Sequence, residues 1–424
     1  MAAILAVWFV ALFSGVPLFV TMGLASAAFV AIGGFPLIVI PQKVAMAANS
    51  FPLLAAPFFI LMGNIMNSAG ITKRIFAFAT VAVGWLRGGL CHANILASVI
   101  FAGMSGSAVA DAGGLGTIEI KAMRDAGYEP ETAAAIPAAS ATIGPIIPPS
   151  LPMVIYGVSA EASIGALFLG AVIPGLLMAA ALMAMVARLA IRRGYPREAF
   201  PTLADILAAS REAFWALMAP VVLLGGMLGG MFTPTEAAAV AVLYSLILGL
   251  LVYREFELRD LPRLILDTIE TTGVVMALVM TAALFAWCLS ISRIPQLSSA
   301  ALVGWIDDPL TLFLLINLIL LVVGMFMEAI AAMLLLIPIL VPPALALGID
   351  PIQLGVVFVF NLMVGTITPP VGVVLFVTAQ VAKVPFEAVT RAVIPFLVPL
   401  ILVLLATTLW PPLTTTLPDL LLAR

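Results

Sequence analysis

The chain has 424 residues, of which 64% are hydrophobic and only 9% charged, with a net charge of −3 and a mean hydropathy of +1.25. A water-soluble domain carries roughly 25% charged residues, so the composition excludes one; the apolar excess must face lipid, and ~20 residues per span allow about ten crossings. There is no basic run and no interleaving of basic with aromatic residues, which argues against a nucleic-acid partner.

Taken in chain order, residues 2–15 and 17–33 are apolar and separated by Gly15-Val16-Pro17, so they form one kinked helix or two short ones. No positive n-region precedes them, and the first segment is expected to be a retained span. Residues 36–49 contain Pro41, Gln42 and Lys43 and are placed near the interface, while 51–71 cross. Residues 72–89 carry Lys73, Arg74 and Arg87 around an apolar face, which suits a helix lying in the membrane surface. Residues 90–125 hold two apolar arms around a Gly/Ser break and are expected to form a re-entrant hairpin with its tip near Met104-Ser105-Gly106. Residues 129–160 form a span broken at Gly144 to Pro149, and 163–191 cross. A hydrophilic cytoplasmic linker is expected at 192–212.

The second half follows the same plan. Residues 213–232 and 234–253 cross, 257–271 form an amphipathic arm, and 273–292 cross. A second hairpin is expected at 308–346, a second broken span at 351–381 and a last crossing at 386–411. Thr233-Pro234-Thr235-Glu236 fits a capping box with Pro at the first helical position. Cys91 and Cys288 lie in apolar surroundings and are read as small buried hydrophobes, and His92 has no second histidine to work with.

The halves match at one offset. Gly103, Met104 and Ala108 meet Gly324, Met325 and Ala329 at a spacing of 221 residues, and Gly144, Pro148 and Pro149 meet Gly365, Pro369 and Pro370 at the same spacing. The basic residues Arg192, Arg193, Arg197, Arg254, Arg259 and Arg263 mark the cytoplasmic side. An odd number of crossings, about five, then separates equivalent points, so the chain is read as two inverted repeats, 1–191 and 213–424. Gly/Pro-interrupted apolar segments at matching places in two halves point to the substrate site of a secondary transporter.

The expected chemistry sits at those breaks. A helix interrupted inside the membrane exposes carbonyls without intrahelical partners, and with nearby hydroxyls these suit Na+, a hard cation. The positive N-terminal ends of the resumed helices suit a carboxylate. One Na+ is expected per half: the first at Ser105, Ser107, Gly144, Ile147 and Pro148, the second at Gly324, Met325, Gly365, Thr366 and Thr368. Ser105, Ser107, Asp111, Pro149, Glu328 and Pro369 are placed next to the substrate. Asp111, Glu119 and Glu328 are ionisable groups inside the bilayer or hairpins, functional by default. Asp111 and Glu328 suit either ion tuning or the start of a helix.

Gly-Met-Ser-Gly-Ser-Ala at 103–108, Ala110-Asp111-Ala112, Gly127-Tyr128, the Gly144 to Pro149 segment, Phe232-Thr233-Pro234-Thr235-Glu236-Ala237-Ala238 and Gly365-Thr366-Ile367-Thr368-Pro369-Pro370 resemble the large membrane subunit of tripartite ATP-independent periplasmic (TRAP) transporters. The resemblance covers nearly the whole chain. It implies an all-α polytopic protein of the elevator type, of the ion-transporter superfamily, in a bacterial inner membrane. It implies Na+-coupled uptake of an organic acid delivered by a periplasmic binding protein, with a small four-helix membrane subunit as partner. A stand-alone Na+/carboxylate carrier of the same superfamily is the alternative. An enzyme would need a catalytic constellation, and an ATP-driven pump a Walker-type loop; neither pattern is present.

Overall fold

The computed structural model describes residues 14–422 and, before them, residues 8, 10 and 11; the side chains of 103–105, 228, 301, 303 and 305 also lie outside the described set. Most of the first expected segment, 2–15, therefore falls outside it. All regular structure among the described residues is helical.

The first half contains α1 (Leu18–Ile32), α2 (Val39–Ala48), α3 (Ala55–Ser68, entered through a 3₁₀ turn at Phe51–Leu54) and α4 (Ile71–Val83). The expected hairpin is α5 (Gly89–Ser105), the short α6 (Ala108–Gly113) and α7 (Leu115–Asp125). The first broken span is α8 (Pro130–Ala141) and α9 (Leu151–Ser159), followed by α10 (Ile164–Arg193). The second half contains α11 (Leu203–Leu228), α12 (Pro234–Ile247, continued by a π-turn to Val252), α13 (Leu261–Ile291) and α14 (Ile294–Trp305). The second hairpin is α15 (Pro309–Phe326) and α16 (Ala329–Ala346), the second broken span α17 (Pro351–Gly365) and α18 (Val373–Ala382), and the chain closes with α19 (Phe386–Leu409) and α20 (Pro412–Leu422).

Eight stretches of helix among the described residues are long and apolar enough to cross a membrane. Burial sorts them. The most apolar window of α16 is 72% buried, that of α11 only 22%. Helix α17 is buried from Gln353 to Gly365 and α8 from Thr132 to Ala141. A helix that is apolar all round and buried belongs to the centre of the bundle; α11 exposes Phe214, Trp215 and Val221 at its periphery.

Several elements differ from expectation. The connection between the halves is shorter than 192–212: Arg192 and Arg193 close α10, and α11 already starts at Leu203 behind a Thr202/Asp205 capping box. The arm 257–271 and the span 273–292 are one 31-residue helix, α13. The change from charged to apolar residues marks a change of environment, not a breaker: Gly273 is the only glycine at the junction, and one glycine costs a helix only ~1 kcal/mol. Helices α14 and α20 were not foreseen; each is short and begins at or beside a proline. The arms of the second hairpin are 18 residues each, about 27 Å long. The Thr233/Glu236 capping box forms as expected.

The packing is reciprocal. Helix α9, from the first broken span, packs on α16 and α17 of the second half, and α18, from the second broken span, packs on α6, α7 and α8 of the first. Arg124 at the end of α7 reinforces this exchange by donating to the carbonyl of Ala382, the last residue of α18, at 2.8 Å.

Candidate functional site

Each hairpin tip is shaped by its turn chemistry. Helix α5 ends at Ser105, whose side chain lies outside the described residues. Gly106 follows at φ +61°, a left-handed cap that glycine takes without cost. A Cβ there would stand 3.1 Å from the Leu151 nitrogen, so the first tip abuts the resumption of its own broken span. Ser107 is extended and caps α6, accepting from the Ala110 N–H at 3.4 Å. At the second tip Glu328 caps α16, its carboxylate accepting from the Ala331 N–H at 3.1 Å. The structure thus shows Glu328 as a helix start and places Asp111, 2% exposed, in the first turn of α6.

The breaks span residues 142–150 and 366–372. In the first, the chain leaves α8 through tight turns, with Ile143 N–H donating to the Ser140 carbonyl at 2.9 Å and Ile146 N–H to the Ile143 carbonyl at 3.0 Å. Ser150 then closes it, donating its hydroxyl to the Pro145 carbonyl and accepting from the Met153 N–H at 3.3 Å. In the second, Thr366 and Thr368 turn their hydroxyls back to the Met363 and Val364 carbonyls, each at 2.7 Å. The second break is tied to its hairpin, because the Gly372 N–H donates to the Met325 carbonyl at 3.1 Å. The Pro148–Pro149 and Pro369–Pro370 peptides are both cis.

The two glycines at the breaks meet different neighbours. A Cβ on Gly365 would stand 2.7 Å from the Gly324 backbone, so hairpin and break cross there backbone to backbone. A Cβ on Gly144 would instead overlap Oδ2 of Asp111. The second half thus sets glycine on glycine, and in the first a buried carboxylate stands on the break glycine.

Both tips and both breaks open on one cavity of about 800 Å³. Ser107, Glu328 and Thr366 line it, together with Pro145, Leu151 and Val373 at the breaks. Asp111, Gly144, Pro148, Pro149, Gly324, Gly365 and Thr368 are buried residues outside its lining, and Ile147, Met325 and Pro369 are half-buried and also outside it. The opposite wall comes from α1, α3 and α13, with Asn64, Asn67, Glu270 and Thr271 as its polar groups.

Sequence reasoning missed that wall, and it missed two buried polar pairs. Asn94 of α5 accepts from the Ser140 hydroxyl at 2.7 Å and donates to Glu119, itself 1% exposed. Asn361 of α17 donates to the Asn317 side chain at 2.7 Å and to its carbonyl at 2.9 Å. Ser140 and Asn361 are equivalent at the 221-residue offset, so the repeat held the signal. Cys91 and Cys288 are buried and unbridged, and His92 is buried.

Residues 5–413 match the family model of the tripartite ATP-independent periplasmic transporter, DctM component. The chain is 46% identical over 416 residues to the sialic acid TRAP transporter large permease protein SiaM of Vibrio cholerae, covering 98% of this chain and 97% of that protein. It is 43% identical over 419 residues to the sialic acid TRAP transporter permease protein SiaT of Haemophilus influenzae, covering 99% of this chain and 68% of the longer relative. Among solved structures, the YdaH transporter of Alcanivorax borkumensis shares the fold with a TM-score of 0.67 at 15% identity, over 88% of each chain. With these matches and its apolar helices, the chain is a multi-pass membrane protein that belongs to the DctM family, the large permease component of TRAP transporters.

Proposed function

We propose that this permease imports an organic acid with Na+ across a bacterial inner membrane, receiving the acid from a periplasmic binding protein and working with a small four-helix membrane subunit. The observation that carries this reading is the shared cavity: two hairpin tips and two helix breaks from opposite halves converge on one space. The relatives named for sialic acid support an acid as cargo. The hydroxyls and carbonyls at each break are of the kind a hard cation takes, which supports one Na+ in each half. The first has Ser105 and Ser107 with the carbonyls of Gly144, Ile147 and Pro148; the second has the Thr366 and Thr368 hydroxyls with the carbonyls of Gly324, Met325 and Gly365. Bound there, Na+ would supply positive charge beside a carboxylate in a cavity lined, among the described residues, by no Arg, Lys or His. Asp111, Pro149, Glu328 and Pro369 complete the surroundings proposed for the substrate.

The 221-residue match and the reciprocal packing of α9 and α18 support two inverted repeats, 1–191 and 213–424 with the connection 192–212 between them. Both half-sites share one cargo, so the hairpins 90–125 and 308–346 and the broken spans 129–160 and 351–381 travel as one body, the elevator motion. Helices α4 and α13 belong to the scaffold, their basic residues held at lipid headgroups.

Uptake of labelled N-acetylneuraminate into proteoliposomes holding the chain, its small subunit and its binding protein tests the proposal. Uptake should require an inward Na+ gradient and all three proteins, and Ser107→Ala and Thr368→Val should each shift the Na+ dependence to higher concentration. Unchanged Na+ dependence in both variants removes the ion sites, and full uptake by the chain alone makes it a stand-alone carrier. For the motion, a cysteine at Val109, which lines the cavity at the first tip, should change its reactivity from one face to the other as Na+ and acid are varied. A cross-link from the hairpin to α4 that left turnover at its normal rate would replace the elevator with a local gate.

A further inference from the structure

We propose that Glu270 is a specificity-determining residue of this cavity, a charge filter that favours hydroxyl-rich acids with a single carboxylate over compact dicarboxylates. The inference rests on the reading of the cavity as the substrate site.

The two walls differ in kind. On the hairpin side, the tips at 106–110 and 328–331 present chain turns and the start of the 18-residue α16, which suits one carboxylate. The carboxylate that lines the cavity on that side, Glu328, accepts from the Ala331 N–H at the start of its own 18-residue helix. On the scaffold side, Glu270 has no such partner. It lies well inside the 31-residue α13, away from either terminus, is exposed, and joins no ion pair among the described residues. Asp267 and Arg263 lie about one and two turns earlier on the same helix, and neither lines the cavity.

The remaining polar groups of that wall are neutral and only partly used. Asn64 donates to the Thr268 hydroxyl at 3.0 Å, which leaves its carbonyl oxygen open. Asn67 accepts from the Thr72 hydroxyl at 3.2 Å, which leaves its amide N–H groups. Thr271 donates to the Asp267 carbonyl at 3.0 Å, which leaves its oxygen as an acceptor. A carboxylate is an acceptor only, whereas a hydroxyl both donates and accepts. Ligand hydroxyls therefore satisfy Glu270, Asn64, Asn67 and Thr271 together. A second carboxylate brought to this wall offers Glu270 no proton and meets a like charge, with no Arg, Lys or His among the described lining residues to offset it. Volume points the same way: about 800 Å³ is on the scale of pockets that enclose a drug-sized ligand, which a four-carbon diacid would leave largely unfilled.

The test is thermal stabilisation of the purified chain with its small subunit, in Na+ buffer, titrated with two polyhydroxylated monoacids (N-acetylneuraminate and gluconate) and two diacids (succinate and fumarate). In the wild type the better monoacid should act at a concentration at least tenfold below the better diacid. Glu270→Gln keeps the side-chain size and removes the charge; it should narrow that ratio to below threefold by strengthening the diacid, with the monoacid changed less than threefold. Glu270→Asp keeps the charge and should keep the discrimination. A wild-type ratio below threefold, or a ratio that Glu270→Gln leaves unmoved, overturns the filter while leaving the acid site standing. If none of the four acids stabilises the complex at any Na+ concentration, the cavity is not the acid site and the filter falls with it.

Discussion

The two breaks occupy equivalent places in the two halves and are held in different ways. At the second, hairpin and break touch through bare backbone, Gly324 on Gly365, and the Gly372 N–H ties the break to the Met325 carbonyl. At the first, a buried carboxylate, Asp111, stands on Gly144, and a second one, Glu119, takes the amide of Asn94. Where break meets hairpin, the neighbour of the break glycine is therefore backbone in one half and a carboxylate in the other, while both halves carry a buried polar pair. Variants that add volume should hurt the second half more, and the polar pairs should differ in what they lose.

The largest effect is expected from Gly365→Ala. Its new Cβ would face the backbone of Gly324, which has no rotamer to move away, and overpacking of this kind costs about 1–3 kcal/mol. Gly144→Ala meets first the Asp111 carboxylate, a side chain rather than a backbone. Thermal unfolding of the two variants in detergent should therefore rank Gly365→Ala as clearly the less stable, with uptake lost. The reverse ranking would mean that the Asp111 carboxylate is the more rigid neighbour and that steric fit does not distinguish the halves.

The equivalent polar positions come next. Asn361→Leu removes two hydrogen bonds to Asn317, a buried pair between apolar helices, where such bonds are worth about 0.6–2 kcal/mol. Ser140→Ala removes the hydroxyl that Asn94 accepts, but Asn94 keeps its bond to Glu119. Asn361→Leu should lower the unfolding temperature more than Ser140→Ala. Equal losses would show that Glu119 adds nothing to the anchoring of Asn94.

These pairs also show where reading the sequence stops. The breaks were legible because a chain that turns inside a bundle needs glycine and proline, and Gly144, Pro148, Gly365 and Pro369 stand out against apolar runs. The helix interruptions near Gly106 and Met327 were legible from interrupted hydropathy, and the cap at Thr233 from the residue types at its spacing. An asparagine in an apolar helix names no partner, so Asn94 and Asn317 carried no message until the fold placed them beside Ser140 and Asn361. Glu270 was hidden differently: it lies in a stretch that reads as a surface arm, and only the continuity of α13 brings it to the cavity wall. Of the residues expected at the site, Ser107, Glu328 and Thr366 line the cavity, because the tips and breaks expose few side chains and turn the others inward.

The smallest effect separates how the two broken helices resume. Helix α9 starts behind Ser150, whose hydroxyl accepts from the Met153 N–H and also donates across the break to the Pro145 carbonyl. Helix α18 starts behind Gly372 at φ +59° with no side-chain cap. Losing a serine cap costs about 1 kcal/mol, so Ser150→Ala should lower stability by roughly that amount. Ser150→Thr, which keeps the hydroxyl, should recover most of it. Gly372→Ser cannot gain the same cap, because a side chain there must adopt a left-handed backbone costing roughly 1–2 kcal/mol and would crowd Leu375. Side-chain capping therefore belongs to the first break only. A Ser150→Ala variant as stable as wild type would show that the turns at 143–146 hold that break without it, and the two halves would then resume their helices on backbone geometry alone.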